Sequence, residues 1–292
     1  MPAHRRCSIR TGVTYRDEPR CAPGAERTRA AVARAGMIPL GTARSVRAAP
    51  DIFLWEGPGG VRVGFWAGAI ASRDLASRSA PGVEPASIAR ALDAIRDLKA
   101  RGARVSIALL HAGCLRTSRP DPAEAEHMNQ IARAGFNLVA ASHSHRISGA
   151  RRIAAPDRNP SFCFYGLGTL TSGYCESSIE REGLIVVAGL TARGDLARVE
   201  LRTVLLAESG FGAIPLPQAG CEIIERFRSL SEEIAAGTAA GLFYKDVAPG
   251  LMRLYARDIR AAVRQSGFRG LAAKVRRLRM RHVQRLVRAV IR

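Results

Sequence analysis

Apolar residues along this chain alternate between two periods. From Ala86 to Arg101 they recur at helical spacing, and a continuous apolar run from Ala103 to Leu110 follows. The same order returns with Pro122 to Ala134 and then Phe136 to Ala141. Helix-period stretches joined closely to short buried-strand runs predict helix, strand, helix, strand, the pattern of a parallel sheet. Upstream, Asp51 to Glu56 and Val61 to Ala67 flank Gly57-Pro58-Gly59-Gly60, which predicts a hairpin on that sheet. Ala71 to Glu84, rich in Ser, Arg, Pro and Gly, predicts a surface loop, as does Thr117-Ser118-Arg119-Pro120. Ile153 to Ala155, Ser161 to Tyr165, Gly183 to Leu190 and Ala197 to Leu206 predict further strands. From Pro215 the period turns helical, with Glu222 to Ala236, Pro249 to Arg264 and Gly270 to Ile291 as predicted helices. Three regions follow: an irregular segment over 1–23, an α/β domain over 24–210 and a helical extension over 215–292.

Three of the six histidines fall at the ends of the two apolar runs, in Leu109-Leu110-His111-Ala112-Gly113 and Ala140-Ala141-Ser142-His143-Ser144-His145. Ligands of open parallel sheets sit outside the carboxyl ends of the strands, so His111, His143 and His145 are the candidate metal ligands. Residues i and i+2 of an extended segment point to the same side, which predicts that the two imidazoles flanking Ser144 face one ion. A single histidine is more often a hydrogen-bonded structural residue; the combination on one edge is what singles these three out. His4, His127 and His282 lie in polar or basic surroundings and are read as solvated. Arg116 and Arg119, close after His111, are candidate contacts for an anionic substrate, because the planar guanidinium suits phosphate and carboxylate. Gly166-Leu167-Gly168 would let backbone approach the site closely.

These residues carry a resemblance. His111-Ala112-Gly113, the turn Ala134-Gly135-Phe136-Asn137, Ala141-Ser142-His143-Ser144-His145 and Phe164-Tyr165-Gly166-Leu167-Gly168-Thr169 resemble, in that order, the motifs of the bacterial capsule-synthesis protein CapA family. Gly24 to Met37, Gly41 and the hairpin around Gly60 to Phe65 fit the same family, so the resemblance covers roughly residues 24 to 205. It implies a calcineurin-like metallophosphoesterase-type sandwich of mixed sheets flanked by helices, incomplete at the N-terminus and followed here by a helical appendage. It also implies a divalent metal of the Mn, Fe or Zn type on His111, His143 and His145, and a role in poly-γ-glutamate capsule or cell-envelope polymer synthesis. The family's Gly-Asp near its first strand and Asn-Asn-His ahead of its first helix complete a two-metal site. Neither stands at its place here, where residues 1–23 carry Arg5, Arg6, Arg10, Arg16 and Arg20 without periodicity. Ala112, Ser142 and Thr169 replace Trp, His and Asn of the family pattern. The expectation is a family member lacking its N-terminal portion, catalytically impaired as it stands.

Composition and charge refine this picture at one end. Of the formal charge of +20 over 292 residues, more than half lies after Asp258, beyond which Arg260 to Arg292 bring only basic residues. With Val283, Leu286, Val287 and Val290 among those arginines, the last predicted helix suits an anionic membrane surface or an acidic polymer, or packs on the α/β body and exposes a basic face. Nucleic acid is the poorer partner, since aromatic residues make up only 5% of the chain and offer no stacking platform. Six scattered cysteines with no Cys-x-x-Cys spacing predict reduced thiols. No apolar run has the length of a signal core or a membrane span, which predicts a cytoplasmic or peripheral membrane protein. Two function classes stay open: a metal-dependent hydrolase acting on a phosphorylated substrate, and a non-catalytic binding protein for an acidic polymer or membrane surface.

Overall fold

The computed structural model describes residues 21–70, 75–155, 159–171, 177–208, 212–216 and 221–247, with Gly250, Arg260 and Arg264 beyond them. In chain order it contains α1 (Cys21–Arg34), β1 (Thr42–Ala43), β2 (Ile52–Glu56), β3 (Arg62–Ala69), β4 (Gly82–Val83), α2 (Ile88–Ala100) and β5 (Val105–Ala112). There follow α3 (Pro122–Ala134), β6 (Leu138–His143), β7 (Ala150–Ile153), β8 (Ser161–Phe164), β9 (Glu182–Leu190), β10 (Leu196–Leu206), β11 (Ala213–Pro215) and α4 (Cys221–Ala236). The fold is α/β, as expected: a mixed six-stranded sheet of order β2-β3-β5-β6-β8-β7 accompanied by helices. Its four central strands β3, β5, β6 and β8 are parallel, and antiparallel β2 and β7 close the edges. A second, three-stranded sheet, β11-β10-β9, is antiparallel throughout.

The two helices that connect the parallel strands owe their positions to local chemistry. Ser87 caps α2 by accepting from the Arg90 N–H, and the Asp121 carboxylate caps α3 by accepting from Ala123 and Glu124, with Pro122 in the first turn. Helix α2 buries Ala91, Ala94, Ile95 and Leu98, and α3 buries Met128, Ile131 and Ala132; each large aliphatic side chain so buried contributes about 1.5–3 kcal/mol. Gly64 in β3 has to be small, because a Cβ there would meet Leu98 Cδ2 at 2.5 Å. Trp66 stacks on Phe136 with ring centroids 5.6 Å apart. At Gly135 the chain takes φ 135°, ending α3. Two residues later Asn137 exchanges two bonds with Ser106: its side-chain oxygen accepts from the Ser106 N–H at 2.9 Å and its own N–H donates to the Ser106 carbonyl at 2.8 Å.

Both β5 and β6 run two residues further than their apolar runs. The stretch 71–84 is no simple surface loop either: among its described residues Gly82–Val83 pair with Thr42–Ala43, and Glu84 is fully buried. The cause is Arg90 in the first turn of α2, whose Nε and Nη2 donate to the Glu84 carboxylate at 2.6 and 2.8 Å and whose Nη1 donates to the Val46 and Ala48 carbonyls. His127 is not solvated as expected; its Nε2 lies 2.6 Å from the Ala86 carbonyl.

By contacts the chain divides into two compact units, Met1–Glu232 and Glu233–Arg292. In the first, α4 packs Ile223 against Ile147 and Leu184, and Ser231 Oγ accepts from the Ala150 N–H at 2.9 Å. In the second, the end of α4 is followed by helix over 239–247, where the buried Phe243 meets Tyr244 edge-on at 5.3 Å. This helix lies where the sequence pattern places only a turn. The predicted irregular segment over 1–23 falls almost wholly outside the described residues, as do the predicted helices Pro249 to Arg264 and Gly270 to Ile291. Among the described residues no helix is long and apolar enough to cross a membrane.

The Glu84–Arg90 pair gives a direct test of the packing at the start of α2. Burial pushes the Glu84 carboxyl above the usual range while the Arg90 bonds oppose it. Arg90→Met is expected to leave a buried carboxylate unpaired and to cost about 3–5 kcal/mol at neutral pH, measured by urea unfolding.

Candidate functional site

The site is built where the parallel strands end. Strands β5 and β6 pair from Ile107 with Leu138 to Ala112 with His143, so His111 lies opposite Ser142 and His143 one step further along. Successive residues of a strand point to opposite faces, yet the two imidazoles meet at the strand ends with ring centroids 4.3 Å apart and planes tilted by 49°. Both rings are shifted toward the neutral form. Burial lowers the His111 pKa from 6.5 to about 4, helped by the proximity of His143 and His145. The His143 pKa is also lowered, by burial and by His145. His111 Nδ1 is buried and has no hydrogen-bond partner.

His145 arrives by a different geometry from the one its spacing suggests. The extended run that would put it on the same side as His143 stops at His143, and His145 itself adopts φ 56°. Its Nδ1 lies 3.5 Å from Thr169 Oγ1. Ser144, between the histidines, turns inward: its hydroxyl donates to the Arg146 carbonyl at 2.9 Å and accepts from the Arg146 N–H at 3.3 Å. Gly166 and Gly168 allow close backbone approach, to the turn after β6 and to the start of β9 respectively. A Cβ on Gly166 would meet the Arg146 carbonyl at 2.9 Å, and one on Gly168, at φ 73°, would meet the Glu182 carbonyl at 2.2 Å.

The loop after β5 is tied to both sides. Gly113 N–H donates to Glu124 Oε2 at 2.8 Å, joining the loop to the first turn of α3, and Arg116 N–H donates to the Ser144 carbonyl at 2.7 Å. Of the two candidate arginines, Arg116 is exposed on this loop and its Nε lies 3.5 Å from Glu180 Oε1. Arg119 sits in the following turn, its carbonyl accepting from Thr117 Oγ1 at 3.2 Å. Glu180 and Arg146, missed in the sequence, belong to the same neighbourhood: Arg146 Nη2 is 3.9 Å from Glu180 Oε1. No motif marks them, because Glu180 comes from a four-residue 3-10 turn, Ser178–Arg181, far along the chain.

The family resemblance implies a divalent metal, and the donors present fit part of such a site. Neutral imidazole is the metal-binding form of histidine, and the orphaned His111 Nδ1 beside the His143 ring supplies that chemistry. Among the described residues, no group of three or more His, Cys, Asp or Glu side chains is arranged to hold a metal ion. The nearby carboxylates Glu124 and Glu180 are engaged by Gly113 and by Arg116 and Arg146 respectively.

The chain matches the family described as bacterial capsule synthesis protein PGA_cap over residues 21–174, just over half its length. No curated protein matches it. Among solved structures it is similar to the NAD nucleotidase of Haemophilus influenzae, at 13% identity and a TM-score of 0.39, covering 66% of this chain and 36% of that one. A 5'-nucleotidase precursor from Thermus thermophilus is similar at 13% identity and a TM-score of 0.40, with 68% and 38% covered. The calcineurin-like phosphoesterase YfkN from Bacillus subtilis is similar at 16% identity and a TM-score of 0.37, with 68% and 63% covered. The chain spans less than two thirds of each of these structures, and likenesses at such scores carry no activity over to it.

The electrostatics of the pair predict its titration. In metal-free protein the His111 ring is expected to protonate with a midpoint near 4 rather than 6.5, followed by its ring signals in nuclear magnetic resonance. Between those values the unfolded chain binds more protons than the folded one, so the stability contributed by neutral His111 is complete above about pH 6.5 and is lost as pH falls toward 4.

Proposed function

The chain belongs to the bacterial capsule synthesis protein family, and we propose that it serves the synthesis of poly-γ-glutamate or a related acidic cell-envelope polymer by binding an anionic group at the histidine edge. One observation carries the reading: His111 and His143 stand 4.3 Å apart at the ends of two parallel strands, neutral and desolvated, with His111 Nδ1 lacking a partner. A divalent ion of the Mn, Fe or Zn type is the ligand such nitrogens suit, held by His111 and His143 with His145 beside them. When bound, the ion would polarise an oxygen of a phosphate or carboxylate. Arg116 and Arg119, on the segment after β5, then meet the rest of the anionic substrate.

Hydrolysis is proposed to be weak. Two-ion hydrolases need carboxylates to balance and bridge the ions, and here Glu124 holds a backbone N–H while Glu180 lies between two arginines. That engagement favours the second reading, a binding protein that keeps the fold and has lost turnover. In either case the proposed role of the basic residues after Asp258 is to hold an acidic polymer or an anionic membrane surface, and nucleic acid is not the proposed partner.

Calorimetric titration of the purified chain with Mn2+ or Zn2+ tests the site. Uptake is expected to be weak and to fall in His143→Ala by at least the 10- to 100-fold that loss of even an outer-shell partner costs, about 1.4–2.7 kcal/mol. Robust metal-dependent phosphoesterase turnover abolished by the same substitution would reinstate the hydrolase; absence of uptake would remove the metal. Co-sedimentation with anionic vesicles or poly-γ-glutamate tests the tail. Binding is expected to fall steeply between low and high salt and to be lost when Arg276, Arg277, Arg279 and Arg281 are replaced by Gln.

A further inference from the structure

We infer that Glu180 is a positioning residue for the histidine edge, holding through Arg116 and Arg146 the loop that follows His111 in β5 and the turn after β6 that carries His145. The inference rests on those histidines being the ligand-binding group. Among the described residues, only two non-glycine residues have left-handed backbone, Arg116 at φ 61° and His145 at φ 56°. Such conformations cost on the order of 1–3 kcal/mol and persist only where surrounding structure over-determines them. Both belong to this site, one in each loop, and they are joined: Arg116 N–H donates to the carbonyl of Ser144, the residue just before His145.

The side chains repeat that connection from below. Arg116 Nε lies 3.5 Å and Arg146 Nη2 3.9 Å from the same oxygen of Glu180, whose side chain is only 3% exposed. One buried carboxylate thus engages the left-handed residue of the first loop and the neighbour of the left-handed residue of the second. A second route reaches His145 from the same segment. Thr169 N–H donates to the Glu182 carbonyl at 2.9 Å, across a contact so close that Gly168 admits no side chain, and Thr169 Oγ1 stands 3.5 Å from His145 Nδ1. The 3-10 turn and the start of β9 therefore set the direction of His145 through Arg146 on one side and through Thr169 on the other. A buried ion pair adds little net stability; in this place it fixes geometry.

Three variants of the full chain test the assignment: Glu180→Gln, Arg116→Ala and, as the charge-keeping control, Arg116→Lys. The readouts are imidazole proton–nitrogen spectra of the metal-free protein and the affinity for Co2+ alone. Glu180→Gln and Arg116→Ala are expected to displace or broaden the His145 signals and to weaken Co2+ binding about tenfold, as loss of an outer-shell partner does. Arg116→Lys recovers part of both effects, and His127 in α3, bonded to the Ala86 carbonyl, keeps its signals throughout. If Glu180→Gln does not fold, Arg116→Ala decides, since that side chain is 44% exposed. Unchanged His145 signals in the folded variants overturn the inference, and so does an equal disturbance of His127. Wild-type protein that takes up no Co2+ would defeat the metal reading, while the metal-free spectra still decide the role of Glu180.

Discussion

The parallel pairing of β5 with β6 determines what the site is, because a strand register assigns every side chain a face and a height. Asn137 pins one end of that pairing, accepting from and donating to the Ser106 backbone around it. From Ser106 and Asn137 the strands rise together until His111 and His143 emerge at the carboxyl edge, and a one-residue slip between them would exchange the face of one histidine relative to the other. The pinning at Asn137 thus acts on histidines one strand length away. It also explains their protonation. Rings set at the end of a buried sheet lose water before they gain a counter-charge, so burial is the leading cause of lowered basicity in both.

Much of this is readable in the chain. The helical period of Pro122 to Ala134 coincides with α3, because Asp121 and Gly135 mark its ends chemically as well as by pattern. The strand bounds are less legible: apolar runs end at Leu110 and Ala141, whereas the strands continue through His111 and His143, since hydrogen bonding does not require apolar side chains. The spacing of His143 and His145 predicts a shared side, and the left-handed backbone of His145 removes the premise of that prediction. Buried ion pairs are invisible for a different reason. Glu84 reads as loop and Glu180 as an ordinary charge until the fold brings Arg90, Arg116 and Arg146 to them.

Family membership and local chemistry supply different parts of the functional account. Membership places the protein among bacterial capsule synthesis proteins, and a fold family does not fix the reaction. The chemistry comes from a small constellation: two neutral imidazoles, a third held at the turn, and arginines whose positions are set by a buried carboxylate. Under the proposed reading the neutral ring nitrogens suit a metal ion and the guanidinium groups suit an anionic group beside it. The proposed loss of turnover follows from the same constellation, whose carboxylates hold backbone and arginine.

His111 and His143 are proposed to share one ligand. Anomalous diffraction from crystals soaked in Zn2+ or Mn2+ tests it most directly. The expected result is a peak between the two rings, at the roughly 2.0–2.1 Å from a ring nitrogen typical of zinc–imidazole bonds, or slightly longer for manganese. A map with no peak there, or with the metal bound only at sites away from these rings, would contradict the account.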